Sequence, residues 1–163
     1  MNVALFIGSE SDFDVIKDAL KILNEFGVSF SLEVTSAHRS PERTMRLIRE
    51  AEDKGAEVFI CAAGKAAHLA GVVAAHTAFP VIGVPMGGSD LGGLDALLST
   101  VQMPKGVPVA SVGIGRHGAV NAALLAVQIL SIKDPALREA LRSHKKKMAD
   151  SVEISSKKVK KTL

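Results

Sequence analysis

The chain has 163 residues, which at roughly 150 residues per domain is one domain able to bury about 70% of its unfolded surface. Hydrophobic residues make up 47% and mean hydropathy is +0.25, which excludes a disordered chain, while the single cysteine, Cys61, excludes an internal disulfide framework and an all-cysteine zinc site. The net charge of +3 is uneven: Arg138 to Leu163 carry nine Lys/Arg against three Asp/Glu, and the preceding residues carry eleven against fourteen.

Short apolar strands alternate with amphipathic helices along the chain. Val3 to Ile7 is an apolar run stopped by Gly8, and it reads as the first strand. From Ser11 to Phe26, Val15, Ala19, Ile22, Leu23 and Phe26 recur at helical spacing, and Gly27 ends the helix. Phe30 to Val34 alternates as a second strand, and Pro41 opens a helix through Ala51. Glu57 to Ala62 is the third strand and places Cys61 in the core. Ala66 to His76 reads as a small-residue helix, Val81 to Pro85 as the fourth strand and Leu94 to Val101 as a short helix. Val107 to Val112 is the fifth strand, followed by a helix from His117 to Ile132 and a last one from Pro135. The expected division is a catalytic unit over 1–133, with a C-terminal helix and basic tail over 134–163 belonging to the same unit.

The longest apolar region, Ala66 to Met86, contains His68, His76 and Pro80, and reads as buried helix, turn and strand, not as a membrane span. No basic residue precedes Lys17, which speaks against a secretory signal, so the expected location is the cytoplasm. With neither Trp nor Tyr, the chain lacks the faces that stack flavins or single-stranded bases. The basic runs at Lys145–Lys147 and Lys157–Lys161 are read as a solvated helix and its extension, with no nucleic-acid partner.

Five strands separated by helices imply an α/β protein with a five-stranded parallel sheet covered on both faces. Gly8, Gly64, Gly87-Gly88 and Gly113 fall just after strands, so their loops share the carboxyl edge of the sheet, where such folds bind ligands. In the first loop, Ser9, Ser11 and Asp12 open a helix and can hold a phosphate or sugar, or simply cap that helix. In the second, Ser36-Ala37-His38-Arg39-Ser40-Pro41 sets an imidazole suited to proton transfer beside a guanidinium suited to a phosphate or carboxylate. In the third, Gly64 allows close backbone approach to a ligand, and Lys65 or His68 can face it; a buried, hydrogen-bonded His68 is the other reading. His68 and His76 are two turns apart, the wrong spacing for a zinc pair, so no metal is expected. The stretch Met86 to Pro104 is long enough for a functional loop or a subunit contact; Arg116 and His117 have no assignment.

Together, Gly8-Ser9-Glu10-Ser11-Asp12, Ser36-Ala37-His38-Arg39-Ser40-Pro41, Ala66-Ala67-His68-Leu69 and Leu98-Ser99-Thr100-Val101-Gln102-Met103-Pro104 resemble the class I N5-carboxyaminoimidazole ribonucleotide mutase family of purine biosynthesis. This family is also called the catalytic subunit of phosphoribosylaminoimidazole carboxylase. The resemblance runs in order over about residues 2–132. It implies a flavodoxin-like three-layer sandwich with a C-terminal helical extension, and a homo-octamer whose sites are completed by neighbouring chains. It also implies no metal or organic cofactor, and an aminoimidazole ribonucleotide as small-molecule substrate. By motif, His38 is the expected acid–base residue, and Ser9, Ser11, Asp12, Ser36, Arg39, Gly64, Lys65 and His68 the expected substrate-binding set. Lys65 stands where the family usually has Gly, Ala70 where Pro is usual, and Ser40 replaces Thr. The alternatives are a carboxylase using free CO2, or a non-catalytic nucleotide-binding module of the same fold.

Overall fold

In the computed structural model, which describes residues 1–162, five strands form one parallel sheet in the order β2-β1-β3-β4-β5. The strands are β1 Val3–Ile7, β2 Phe30–Val34, β3 Val58–Ala63, β4 Val81–Pro85 and β5 Ala110–Ser111. The helices are α1 Phe13–Glu25, α2 Pro41–Asp53, α3 Leu69–Ala74, α4 Leu94–Val101, α5 Gly115–Leu130 and α6 Pro135–Lys160. This is a flavodoxin-type order, and it reverses between β1 and β3. β1 and β4 are buried throughout and β3 nearly so, which is why these strands read as continuous apolar runs rather than alternating ones.

Alternate side chains of each strand serve opposite layers. Val3, Leu5, Ile7, Ile60 and Val84 meet Ile16, Ala19 and Leu23 of α1 and the small-residue face of α5. Ala4, Phe6, Phe59 and Cys61 meet Leu47 and Ile48 of α2 and Leu69 and Val73 of α3, with the Phe6 and Phe59 rings 5.8 Å apart. Cys61 is fully buried, and desolvation pushes its thiol far above the usual range. Small residues let helices approach closely. A Cβ at Gly83 would overlap Thr100 Cγ2 of α4, and one at Gly118 would overlap the Gly113 carbonyl of the loop that leads into α5.

Several element boundaries differ from the sequence pattern for local reasons. α1 starts as a 3-10 turn at Glu10–Asp12, because Ser9 and Asp12 close a capping box ahead of it. α3 begins at Leu69 rather than Ala66: after the left-handed backbone at Lys65, φ 55°, the His68 N–H closes a tight turn on the Ala66 carbonyl at 2.8 Å before the helix starts. β5 shrinks to two residues, because the edge strand has only β4 as partner and Pro108 has no N–H to offer. The basic tail is not a separate extension: it is the second half of α6, a helix of 26 residues, about 39 Å at 1.5 Å per residue. Only Leu141 of α6 is buried, and His144 lies against Phe26. Leu163, the last residue of the expected tail, lies outside the described residues.

Candidate active site

Four loops converge at the point where strand order reverses. They follow β1, β2, β3 and β4, and they enclose a cleft of about 790 Å³. All nine residues singled out from the sequence line it: Ser9, Ser11 and Asp12; Ser36, His38 and Arg39; Gly64, Lys65 and His68. The loop after β4 adds Met86, Gly87 and Gly88, at the start of the stretch read from the sequence as a functional loop or a subunit contact.

In the β1 loop, the Ser9 N–H donates to Asp12 Oδ2 at 3.1 Å, and the Ser11 hydroxyl donates to Ser9 Oγ at 2.9 Å. Capping and ligand binding are therefore not alternatives here. The cap uses one carboxylate oxygen of Asp12, and the same residue lines the cleft. Burial raises the Asp12 carboxyl above its ordinary value of 3.8, and the Ser9 N–H opposes this in part.

The β2 loop is held by hydroxyls. Ser40 Oγ accepts from the Ser36 N–H at 3.1 Å and donates to the Ser36 carbonyl at 3.2 Å. Ser36 Oγ accepts from the Arg39 N–H at 3.1 Å. Beneath them, buried Thr35 and Thr44 share a hydrogen bond of 2.7 Å, and Thr44 Oγ1 donates to the Ser40 carbonyl at 3.2 Å. Ser40 thus caps no helix N–H with its side chain; it fixes the turn that carries His38. Arg39 Nη2 donates to the Gly8 carbonyl at 3.1 Å, tying the β2 loop to the β1 loop while its other N–H groups remain available.

The β3 loop brings the second histidine. His38 Nε2 and His68 Nδ1 are 2.8 Å apart and share one proton, with the rings edge-to-face at a centroid distance of 4.9 Å. His68 is exposed in the cleft, so the reading of a buried core histidine is corrected. Its partner lies 30 residues away in sequence, and no periodicity could have signalled the contact. Such a pair can pick up a proton and spread it over two rings, which suits alternate proton donation and removal.

His76 lies apart from this cleft and bonds the Val72 carbonyl at 2.8 Å. Arg116 pairs with Asp18 at 3.1 Å on the surface, a contact of structural kind. Among the described residues, no group of three or more His, Cys, Asp or Glu is placed to hold a metal ion.

The fold and site define a parallel α/β protein with a cleft lined by hydroxyl, cationic and imidazole side chains at its topological switch point. Sequence and structural likeness make the class specific. The AIR carboxylase family model matches residues 2–151, and the chain belongs to that family. It is 50% identical over 157 residues to an N5-carboxyaminoimidazole ribonucleotide mutase of Pyrococcus horikoshii, covering 96% of this chain and 88% of the relative. It is 54% identical over 146 residues to the mutase of Pyrococcus abyssi, covering 90% and 83%. A crystal structure of Treponema denticola PurE superposes with a TM-score of 0.86 at 27% identity, over 96% of both chains.

Proposed function

We propose that the protein is an N5-carboxyaminoimidazole ribonucleotide mutase of purine biosynthesis, moving a carboxylate from N5 to C4 of the aminoimidazole ring. The observation that carries the chemistry is the His38–His68 contact at 2.8 Å, set in a cleft with cationic and hydroxyl groups on one side and small residues on the other.

Each residue type has a task in this reading. Ser9, Ser11 and Arg39 hold the phosphate end, with Ser36 fixing Arg39 from behind. Asp12 accepts from the ribose hydroxyls. His38 gives a proton to N5 as the N–C bond of the carbamate breaks, releasing CO2. The small wall at Ala63 and Gly64 leaves room to retain CO2 beside C4, away from water. The new C–C bond forms at C4, and His38 takes the C4 proton as the ring recovers its aromaticity. The proton balance is zero over the cycle, and neither metal nor organic cofactor is invoked. His68 orients His38 and shares its proton load.

The reading includes a homo-octamer. Leu94, Leu98 and Val101 form an exposed apolar stripe on α4, beside the glycine loop of the cleft, and Leu91 extends it. A second copy covering that stripe would also close the cleft. The catalytic unit is placed at 1–133, with α6 as an extension of it. No described helix is long and apolar enough to cross a membrane, and the proposed location is the cytoplasm.

The deciding experiment labels the carbamate carbon of the substrate and supplies unlabelled bicarbonate in excess. Transfer within one site predicts that the product carboxylate keeps the label. Loss of label to solvent would instead favour the carboxylase that uses free CO2.

A further inference from the structure

One residue of the cleft wall has a backbone at odds with its side chain. Lys65, at φ 55°, is the only non-glycine with positive φ among the described residues. In that region an L side chain crowds its own backbone, while glycine carries no penalty. Such strain persists where the surroundings enforce it, and it collects at functional positions. The surroundings here are specific. On the near side the Met86 N–H donates to the Ala63 carbonyl at 3.0 Å, and three residues beyond Lys65 His68 is bonded to His38. The turn between β3 and α3 is thus fixed at both ends, and its crest carries a long cationic side chain.

Lys65 lines the same cleft as Arg39 and Asp12, and it is exposed with no ion-pair partner among the described residues. Its charge reaches Asp95 at the start of α4: the Ser89 hydroxyl chiefly holds that carboxyl below its ordinary value, and Lys65 adds to the effect. Arg39, by contrast, is braced on the Gly8 carbonyl. The cleft therefore has two side-chain cations on different loops, one anchored and one free.

The proposed reaction supplies two anions, a phosphate and the migrating carboxylate, which is a carbamate on N5 in the substrate and a carboxylate on C4 in the product. We propose that Lys65 is a specificity-determining residue that contacts the migrating carboxylate, so that the cleft favours carboxylated over uncarboxylated aminoimidazole ribonucleotide. The inference rests on the mutase reading above. Its kinetic signature follows from the charge of the migrating group. That group is anionic in substrate and product but neutral as CO2 between them. A cation beside it stabilises the bound ground states and loses its partner during decarboxylation, so it lowers KM without raising kcat.

The test compares Lys65→Gln, Lys65→Gly and Lys65→Arg with the parent protein, measuring turnover of the carbamate and binding of the carboxylated and uncarboxylated ribonucleotides. Lys65→Gly relieves the backbone strain, so it guards against a folding artefact. The expected result is a KM for the carbamate raised about tenfold in the Gln and Gly variants, with kcat held or increased. Affinity for the uncarboxylated ribonucleotide should change less than about twofold, and Arg should restore most of the KM. Equal weakening of both ribonucleotides would make Lys65 a phosphate contact and overturn the proposal. So would an unchanged KM, or a fall in kcat at constant KM. A parent protein that converts neither ribonucleotide overturns the mutase reading itself, and that failure is visible before any variant is made.

Discussion

The two loops that bring the histidine pair together are built in opposite ways. The loop after β2 is locked by hydroxyls: Ser36, Ser40, Thr35 and Thr44 form a ladder of hydrogen bonds under His38, and Thr44 is fully buried. The loop after β3 has no such ladder. It is shaped by Gly64 against Met86 and by the left-handed turn at Lys65, and its side chains face the cleft. The difference separates two duties. An acid–base residue needs a fixed position, because a small misplacement of the reacting groups is costly. A wall that meets a small migrating group needs close backbone approach, which small residues and a strained turn provide.

The contrast can be broken most sharply at its centre. His38→Asn keeps a polar side chain of similar reach but cannot exchange protons near neutrality, so turnover should fall by about 10³-fold or more, with ribonucleotide binding retained. Loss of binding in parallel, measured by calorimetry, would contradict the acid–base role. Thr44→Val tests the rigid loop from below. It keeps the shape, and the Ser40 carbonyl keeps the residue-44 N–H at 3.0 Å, but the buried Thr35 hydroxyl loses its 2.7 Å partner, which costs about 1–3 kcal/mol of stability by denaturant titration. The same variant should lose several-fold in kcat, because the turn under His38 loosens. His68→Asn tests the partner loop: kcat should drop about tenfold with KM little changed, and the pH–rate profile should shift because His38 no longer shares its proton. An unchanged profile would make the contact incidental.

The smallest effect lies in the β1 loop. Burial raises the Asp12 carboxyl, so the ionised form destabilises the fold at neutral pH. The sign is that of a raised acid: its contribution favours folding at low pH and is lost as pH rises from the unfolded value of 3.8 through the higher folded one. Asp12→Asn should therefore raise Tm by about 1–2 °C at pH 7, with the gain vanishing below pH 3.8, while weakening ribonucleotide binding. The stability gain is small because the group is only half-buried and solvent screens it. A thermal-melt series over pH checks the crossover.

Much of this was readable from the chain. The alternation of apolar runs and amphipathic segments gives the parallel sheet, since burial on both faces demands continuous apolar strands such as Val3–Ile7. Glycines after the strands mark the carboxyl edge, and the residue types on those loops mark the site. What stayed illegible depends on contacts across the fold. The His38–His68 bond spans 30 residues. The later start of α3 follows a tight turn from Ala66 to His68, and no propensity scale assigns the left-handed backbone before it to Lys65. The retreat of β5 combines its place at the sheet edge, which strand order sets, with Pro108, which the sequence does show; the other edge strand, β2, has no proline and keeps five residues. The basic runs read as a solvated helix and its extension, but the end of that helix at Lys160 was not legible, because Lys145–Lys161 has only scattered apolar residues to reveal a period.

The central claim is that the cleft transfers a carboxylate it already holds. The most direct measurement sets turnover of synthetic N5-carboxyaminoimidazole ribonucleotide against carboxylation of aminoimidazole ribonucleotide with bicarbonate, on the same preparation. The account predicts fast conversion of the first and only slow reaction of the second, even at high bicarbonate. Efficient carboxylation of the second with no conversion of the first would contradict it.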